Sequence, residues 1–193
     1  MQAQDPAGAG PVIRILRRAT RDLHERIEAR FDAVGELADP ARRPAAIGRY
    51  AALYGAARDG LSGLAGFREL DLPRRSLAVP QSPAPEGKAK AGPAFPAPKN
   101  HAEALGLLYV VEGSRLGGRI ILRRLKSLGA EVGELSFLDP YGAETGSMWK
   151  SLVSVIEREG ARGPDHLESI CRGALRGFAF AERVLCGDAV EPA

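Results

Sequence analysis

Cysteine, histidine and tryptophan are scarce in this chain: two, three and one among 193 residues. If Cys171 and Cys186 share one C-terminal helix, 1.5 Å per residue sets them roughly 22 Å apart. A disulfide needs Cα atoms within about 7 Å. No intrachain bridge is expected, which fits a reducing compartment. No C-x-x-C occurs, so a zinc ribbon or thioredoxin-like centre has no ligands to work with. Aromatic residues make up 6% and the net charge is +3. That is too little of either for a basic, aromatic-studded nucleic-acid surface. The longest apolar run, 104–111, contains Gly106 and falls far short of the ~20 residues that cross a bilayer. Residues 1–10 lack the basic start and apolar stretch of a signal peptide. A cytoplasmic chain without a membrane span is expected.

What is present is an ordinary globular composition, 45% hydrophobic, in a length suited to one domain with a real core. Apolar residues recur at helical spacing and nowhere alternate as in a strand. A first helix is predicted over 11–34, with Pro11 in its first turn and Ile13, Leu16, Thr20, Leu23, Ile27, Phe31 and Val34 on one side. A second is predicted over 44–67, weakened by four glycines and prone to break near Gly60. Asn100 is a suitable N-cap for a central helix ending near Gly129. Two more follow over 145–159 and 165–185. The expected class is all-α: a domain over 11–187 with a Pro/Ala-rich loop at 78–99, and tails at 1–10 and 188–193.

The chain is organised around 105–125. Leu105, Leu108, Val111, Leu116, Ile120 and Leu125 form an apolar side, yet Gly113, Gly117 and Gly118 interrupt the helix. Each glycine costs about 1 kcal/mol relative to alanine. Gly113 and Gly117 share a face and leave bare backbone there. A tight helix crossing and a planar ligand lying on the helix both fit. Among the histidines, His101 follows the N-cap and His166 opens the last helix, where structural or exposed roles suffice. His24 lies beside the apolar stripe of the first helix, in line with Arg17. It reads either as a half-buried core histidine or as a ligand to a metal cofactor. Arg17 stands two turns away, roughly 10.5 Å, about the reach from a porphyrin iron to a propionate, which Arg17 would pair with.

Residues 18–28, RATRDLHERIE, resemble the proximal helix of heme oxygenases, particularly the bacterial ones. Residues 109–118, YVVEGSRLGG, resemble their distal helix. Pro140-Tyr141-Gly142, Trp149, Phe178 and Glu182 also sit where that family places similar residues, and the resemblance spans about 12–186. It implies a heme-oxygenase-like helical bundle with a glycine-kinked distal helix. It implies heme b as substrate and cofactor, its iron held by His24, with Gly113 and Gly117 against the macrocycle. Arg17 and Tyr109 match propionate positions, Arg17 standing where a lysine is common. Ser114 falls where the animal enzymes carry a water-ordering aspartate; bacterial relatives commonly have Gly-Ser. Phe178 fits either the heme edge or plain core packing.

The implied reaction consumes dioxygen and external electrons, and releases biliverdin, carbon monoxide and ferrous iron. No nucleotide or flavin motif is present, so a ferredoxin or reductase is the implied electron donor. Arg119, Arg123, Arg124 and Lys126 are candidates to dock it, although basic residues suit a helix C-terminus in any case. A bilin-binding photoreceptor is a partner compatible with bacterial relatives. The alternatives are a heme carrier on the same fold without turnover, a non-heme enzyme of thiaminase-like type, and an interaction domain in which His24 is merely core.

Overall fold

The computed structural model describes residues 10–61 and 94–187, and all the regular structure among them is helical. The expected tails at 1–9 and 188–193, residues 62–67 of the predicted second helix, and most of the 78–99 loop lie outside the described residues.

Helix α1, Pro11–Arg30, begins on Pro11 with no side-chain cap from Gly10. Its free N–H groups are nevertheless accounted for. Pro11 has none, Val12 and Ile13 donate to the Glu157 carboxylate at 3.1 and 2.9 Å, and Arg14 donates to the Gly10 carbonyl at 3.2 Å. Val12, Ile13, Leu16 and Thr20 are buried, whereas Leu23 and Ile27 are only half-buried. The apolar stripe is therefore fully covered along the first half of the helix only. The helix also stops at Arg30 rather than running to Val34. Phe31 turns to extended backbone and Asp32 caps the next helix, its carboxylate accepting from Gly35 N at 3.0 Å. A short polar side chain that satisfies local backbone donors competes with helix continuation.

Helix α2, Ala33–Ala38, buries Leu37, and a turn at Asp39 and Pro40 leads to α3, Arg43–Leu61. Ile47, Tyr50, Leu53, Tyr54, Ala57 and Leu61 form the buried side of α3. The helix is continuous through Gly60, which lies against the Phe95 ring, to Leu61, and any break beyond Leu61 lies outside the described residues. Phe95 also meets Phe180 edge-on, with centroids 5.1 Å apart, so both helix α6 (Pro164–Cys186) and α3 hold it.

Helix α4, His101–Ser127, is the axis of the molecule. Asn100 caps it as expected, accepting from Glu103 N at 2.8 Å, while Glu103 accepts from Lys99 N at 2.7 Å. Residues 102–112 are all buried. A helix buried on every side belongs in the core, and α6 and α5 (Thr145–Gly160) both pack on α4. The α4–α6 crossing brings backbones into contact. A Cβ on Gly106 would lie 2.6 Å from Ala174 N, and one on Gly173 would lie 2.8 Å from the Glu103 carbonyl carbon. The Glu103–Arg176 ion pair closes the same crossing. Past Gly113 the cover of the expected apolar side thins, Leu116 being half-buried and Ile120 exposed, and is restored at the fully buried Leu125. Gly129, with φ 73°, follows the helix end. Between α4 and α5 lie two 3-10 turns, Gly133–Leu138 and Gly142–Glu144.

Helix α1 runs alongside α6 in the same direction, since His24 meets Phe178, Arg26 meets Glu182, and Arg30 meets Glu182 and Gly187. No described helix is long and apolar enough to cross a membrane.

Candidate functional site

The three glycines in the middle of α4 have different surroundings. A Cβ on Gly118 would lie 3.0 Å from the Leu138 carbonyl carbon and closer still to its oxygen, so a tight crossing forms there. A Cβ on Gly113 would touch only the Trp149 ring, at 3.8 Å, an ordinary contact. A Cβ on Gly117 would meet nothing within 4 Å among the described residues. Helix α4 continues unbroken through all three. A tight crossing thus occurs at Gly118, whereas among the described residues the main chain is open at Gly117 and bordered only by the Trp149 ring at Gly113.

Tyr109, one turn before Gly113, borders this face. It is buried, its ring tilts against Trp149 with centroids 5.5 Å apart, and the Arg17 and Thr20 side chains of α1 lie beside its hydroxyl. Burial pushes the phenol pKa up, and the Arg17 charge and hydrogen bond pull against it. The structure therefore brings together the two residues matched to propionate positions, one from α1 and one from α4. An arginine beside a phenol is chemically suited to a carboxylate.

His24 is not a core histidine. Its side chain is 52% exposed, two turns beyond Arg17 on α1. The half-buried Phe178 ring meets it edge-on, centroids 5.8 Å apart at 70°. Its Nδ1 lies 3.7 Å from Glu28 Oε2, outside hydrogen-bond distance. Arg26 and Arg30 both bond Glu182 of α6, Arg26 with two nitrogens at 2.9 and 3.1 Å, which anchors this half of α1. Those hydrogen bonds, Arg26 foremost, hold the Glu182 carboxyl below its ordinary range. His24 and Phe178 form one group and Arg17, Tyr109, Trp149 and Gly113 another, both carried by helices packed on α6 or α4. His101 is exposed as expected, and His166 is half-buried in the first turn of α6.

Ser114 is tied back to its own helix and to α3. Its hydroxyl donates to the Val111 carbonyl at 2.7 Å, leaving its oxygen to accept from Tyr54 at 3.1 Å. Behind it sits a polar cluster that sequence reading passed over: Tyr54, Glu112, Arg115 and Tyr141. Arg115 is fully buried, over the Tyr54 ring at 4.9 Å and the Tyr141 ring at 5.3 Å. Tyr141 donates to Glu112 at 2.9 Å. A usable signal was present, since Arg115 falls on the α4 side that carries Leu108 and Val111, where an arginine is out of place.

Cys171 and Cys186 are free, both on α6 as expected. No group of three His, Cys, Asp or Glu suited to a metal ion occurs among the described residues. A metal already held in a macrocycle needs from the protein only an axial ligand, and the exposed His24 imidazole can supply it. An open glycine face, an exposed imidazole two turns from an arginine–tyrosine pair, and the Trp149 and Phe178 rings are residues of the right chemistry for heme. No protein-family model matches the chain, and neither the curated proteins nor the solved structures yield a match.

Proposed function

We propose that this chain is a cytoplasmic heme oxygenase, which binds heme b and cleaves it to biliverdin, carbon monoxide and ferrous iron. The observation that carries this reading is the uncrowded backbone at Gly117, and at Gly113 beside Trp149, among the described residues, next to Gly106 and Gly118 that are filled to contact. Three glycines weaken a helix by roughly 3 kcal/mol together, and packing accounts for Gly118 only. A flat ligand approaching the main chain gives the other two a purpose.

Bound heme supplies the iron at which dioxygen is reduced, and is itself the carbon skeleton that is opened. The protein's part is to seat and shield it. His24, with Glu28 near its Nδ1, would hold the iron of bound heme. Arg17 and the Tyr109 hydroxyl would take a propionate and so orient the ring. Gly113 and Gly117 would let the macrocycle approach the main chain of α4. Trp149 and Phe178 border the apolar edge. Electrons come from a ferredoxin or reductase; exposed Arg123, Arg124 and Lys126, with Arg119 nearby, are the surface offered to an acidic donor.

Hemin added to the purified chain tests this. A Soret band that decays in air with ascorbate or a ferredoxin–reductase pair, while a broad red bilin band rises, is the expected result. A Soret band stable under every donor makes the chain a heme carrier. Absence of a saturable Soret band removes heme altogether.

A further inference from the structure

Arg115 is the one fully buried cation of the described core, and its Nε, Nη1 and Nη2 meet no hydrogen-bond acceptor among the described residues. Two aromatic faces flank it, Tyr54 at 4.9 Å and Tyr141 at 5.3 Å. Cation–π attraction recovers part of the desolvation cost but satisfies none of five N–H groups. Buried donors in folded proteins find partners, and where the protein provides none, internal water does.

The surroundings select water over an anion. The Glu112 carboxylate is 3% exposed, accepts from Tyr141 and, with Arg115, acts electrostatically on Tyr54. A second negative charge in that cluster would be repelled. Water instead accepts from the guanidinium and donates onward to phenol or carboxylate oxygens. Arg115 lies about 200° round α4 from Gly113 at 100° per residue, so this cluster is on the far side of the helix from the open glycine face. Its link to that side is Tyr54, whose ring covers Arg115 and whose hydroxyl bonds Ser114.

We infer that Arg115 anchors a buried hydration site behind α4, and that by holding the Tyr54 ring it fixes the hydrogen-bond direction at Ser114, Tyr54 to Ser114 to the Val111 carbonyl. Arg115 is thus a positioning residue. Only its bearing on heme rests on the function proposed above; the hydration site does not depend on it.

The test uses the full-length 15N,13C-labelled chain without heme, so it stands even if hemin fails to bind. The Arg115 Nε–H resonance is assigned by its loss in Arg115→Lys. Slow exchange with solvent, together with water cross-peaks of opposite sign in NOE and ROE spectra, is the expected result and marks long-lived internal water. A slowly exchanging Nε–H without water cross-peaks means a dry guanidinium and overturns the hydration site. A saturable shift of that resonance with nitrate replaces water by an anion and overturns it equally. For positioning, the Val111 carbonyl 13C shift reports the Ser114 hydrogen bond. It should move in Arg115→Met in the direction seen in Tyr54→Phe, and return towards the parent value in Arg115→Lys. A folded Arg115→Met chain with the parent Val111 shift overturns the positioning role. Should Arg115→Met not fold, Arg115→Gln takes its place: a Val111 shift displaced in the direction of Tyr54→Phe supports the positioning role, and the parent shift in a folded Arg115→Gln chain overturns it.

Discussion

Replacing Gly117 by alanine should make the chain more stable and a poorer partner for hemin. The added methyl meets nothing within 4 Å among the described residues, so it carries no steric penalty. It removes the glycine from mid-helix, which is worth about 0.8–1 kcal/mol. Part of that gain comes from a less free unfolded chain. For a chain of this size about 1 kcal/mol raises the thermal midpoint by roughly 2–4 °C. Gly118→Ala is the control with the opposite sign. Its methyl would sit 3.0 Å from the Leu138 carbonyl carbon, and overpacking of this kind costs about 1–3 kcal/mol. Calorimetry or urea titration of the heme-free variants reads both. Hemin titration then reads the other half: in Gly117→Ala the methyl stands where the ring would approach backbone, and a loss of about 1.4 kcal/mol would weaken binding tenfold. If Gly117→Ala lowers the midpoint, or binds hemin as tightly as the parent, the open glycine face is not where a ligand lies.

Other substitutions separate roles that the structure keeps apart. His24→Ala should abolish the axial-imidazole spectrum and turnover while leaving the thermal midpoint of this exposed position unchanged; parent spectra would remove His24 from the site. Arg17→Ala should weaken hemin affinity or change the biliverdin isomer, and should raise the Tyr109 pKa further because the charge opposing burial is gone; a chromatographically identical isomer with parent affinity excludes the propionate role. Gly173→Ala should destabilise the chain by about 1–3 kcal/mol, because its methyl has only the Glu103 backbone to displace; parent stability in urea would mean the α4–α6 crossing is looser than described. Glu182, held below its ordinary carboxyl value of 4.5 by Arg26 and Arg30, adds stability that is present above that value and lost as pH falls through its lower folded value. Glu182→Gln should therefore flatten the acid side of the stability–pH curve, and an unchanged slope would show the bridge carries no linkage.

The sequence made the long central helix legible because Asn100 and Glu103 sit at the spacing of a cap, and because apolar residues fill 104–111. It did not reveal where α1 ends, since the Ile27–Phe31–Val34 spacing continues helically while the Asp32 side chain redirects the backbone. Nor did it sort the glycines. Gly106, Gly113, Gly117 and Gly118 look alike in one dimension; what distinguishes them is contributed by α6 and by Leu138, far away in the chain. At the site, Arg17 and Tyr109 meet as their proposed shared role requires, and His24 proves exposed rather than half-buried in the core. Arg115 escaped notice because arginines are numerous here, and only its place on the covered side of α4 sets it apart.

The way α1 begins bears on the order in which the molecule is made. Helix α1 leaves the ribosome before α5, but the carboxylate that satisfies Val12 and Ile13 N–H belongs to Glu157 of α5. A nascent chain halted before residue 157 should exchange those two amides rapidly, and one halted after α5 has emerged should protect them. The opening turn of α1 is therefore completed only once the last third of the chain has been made.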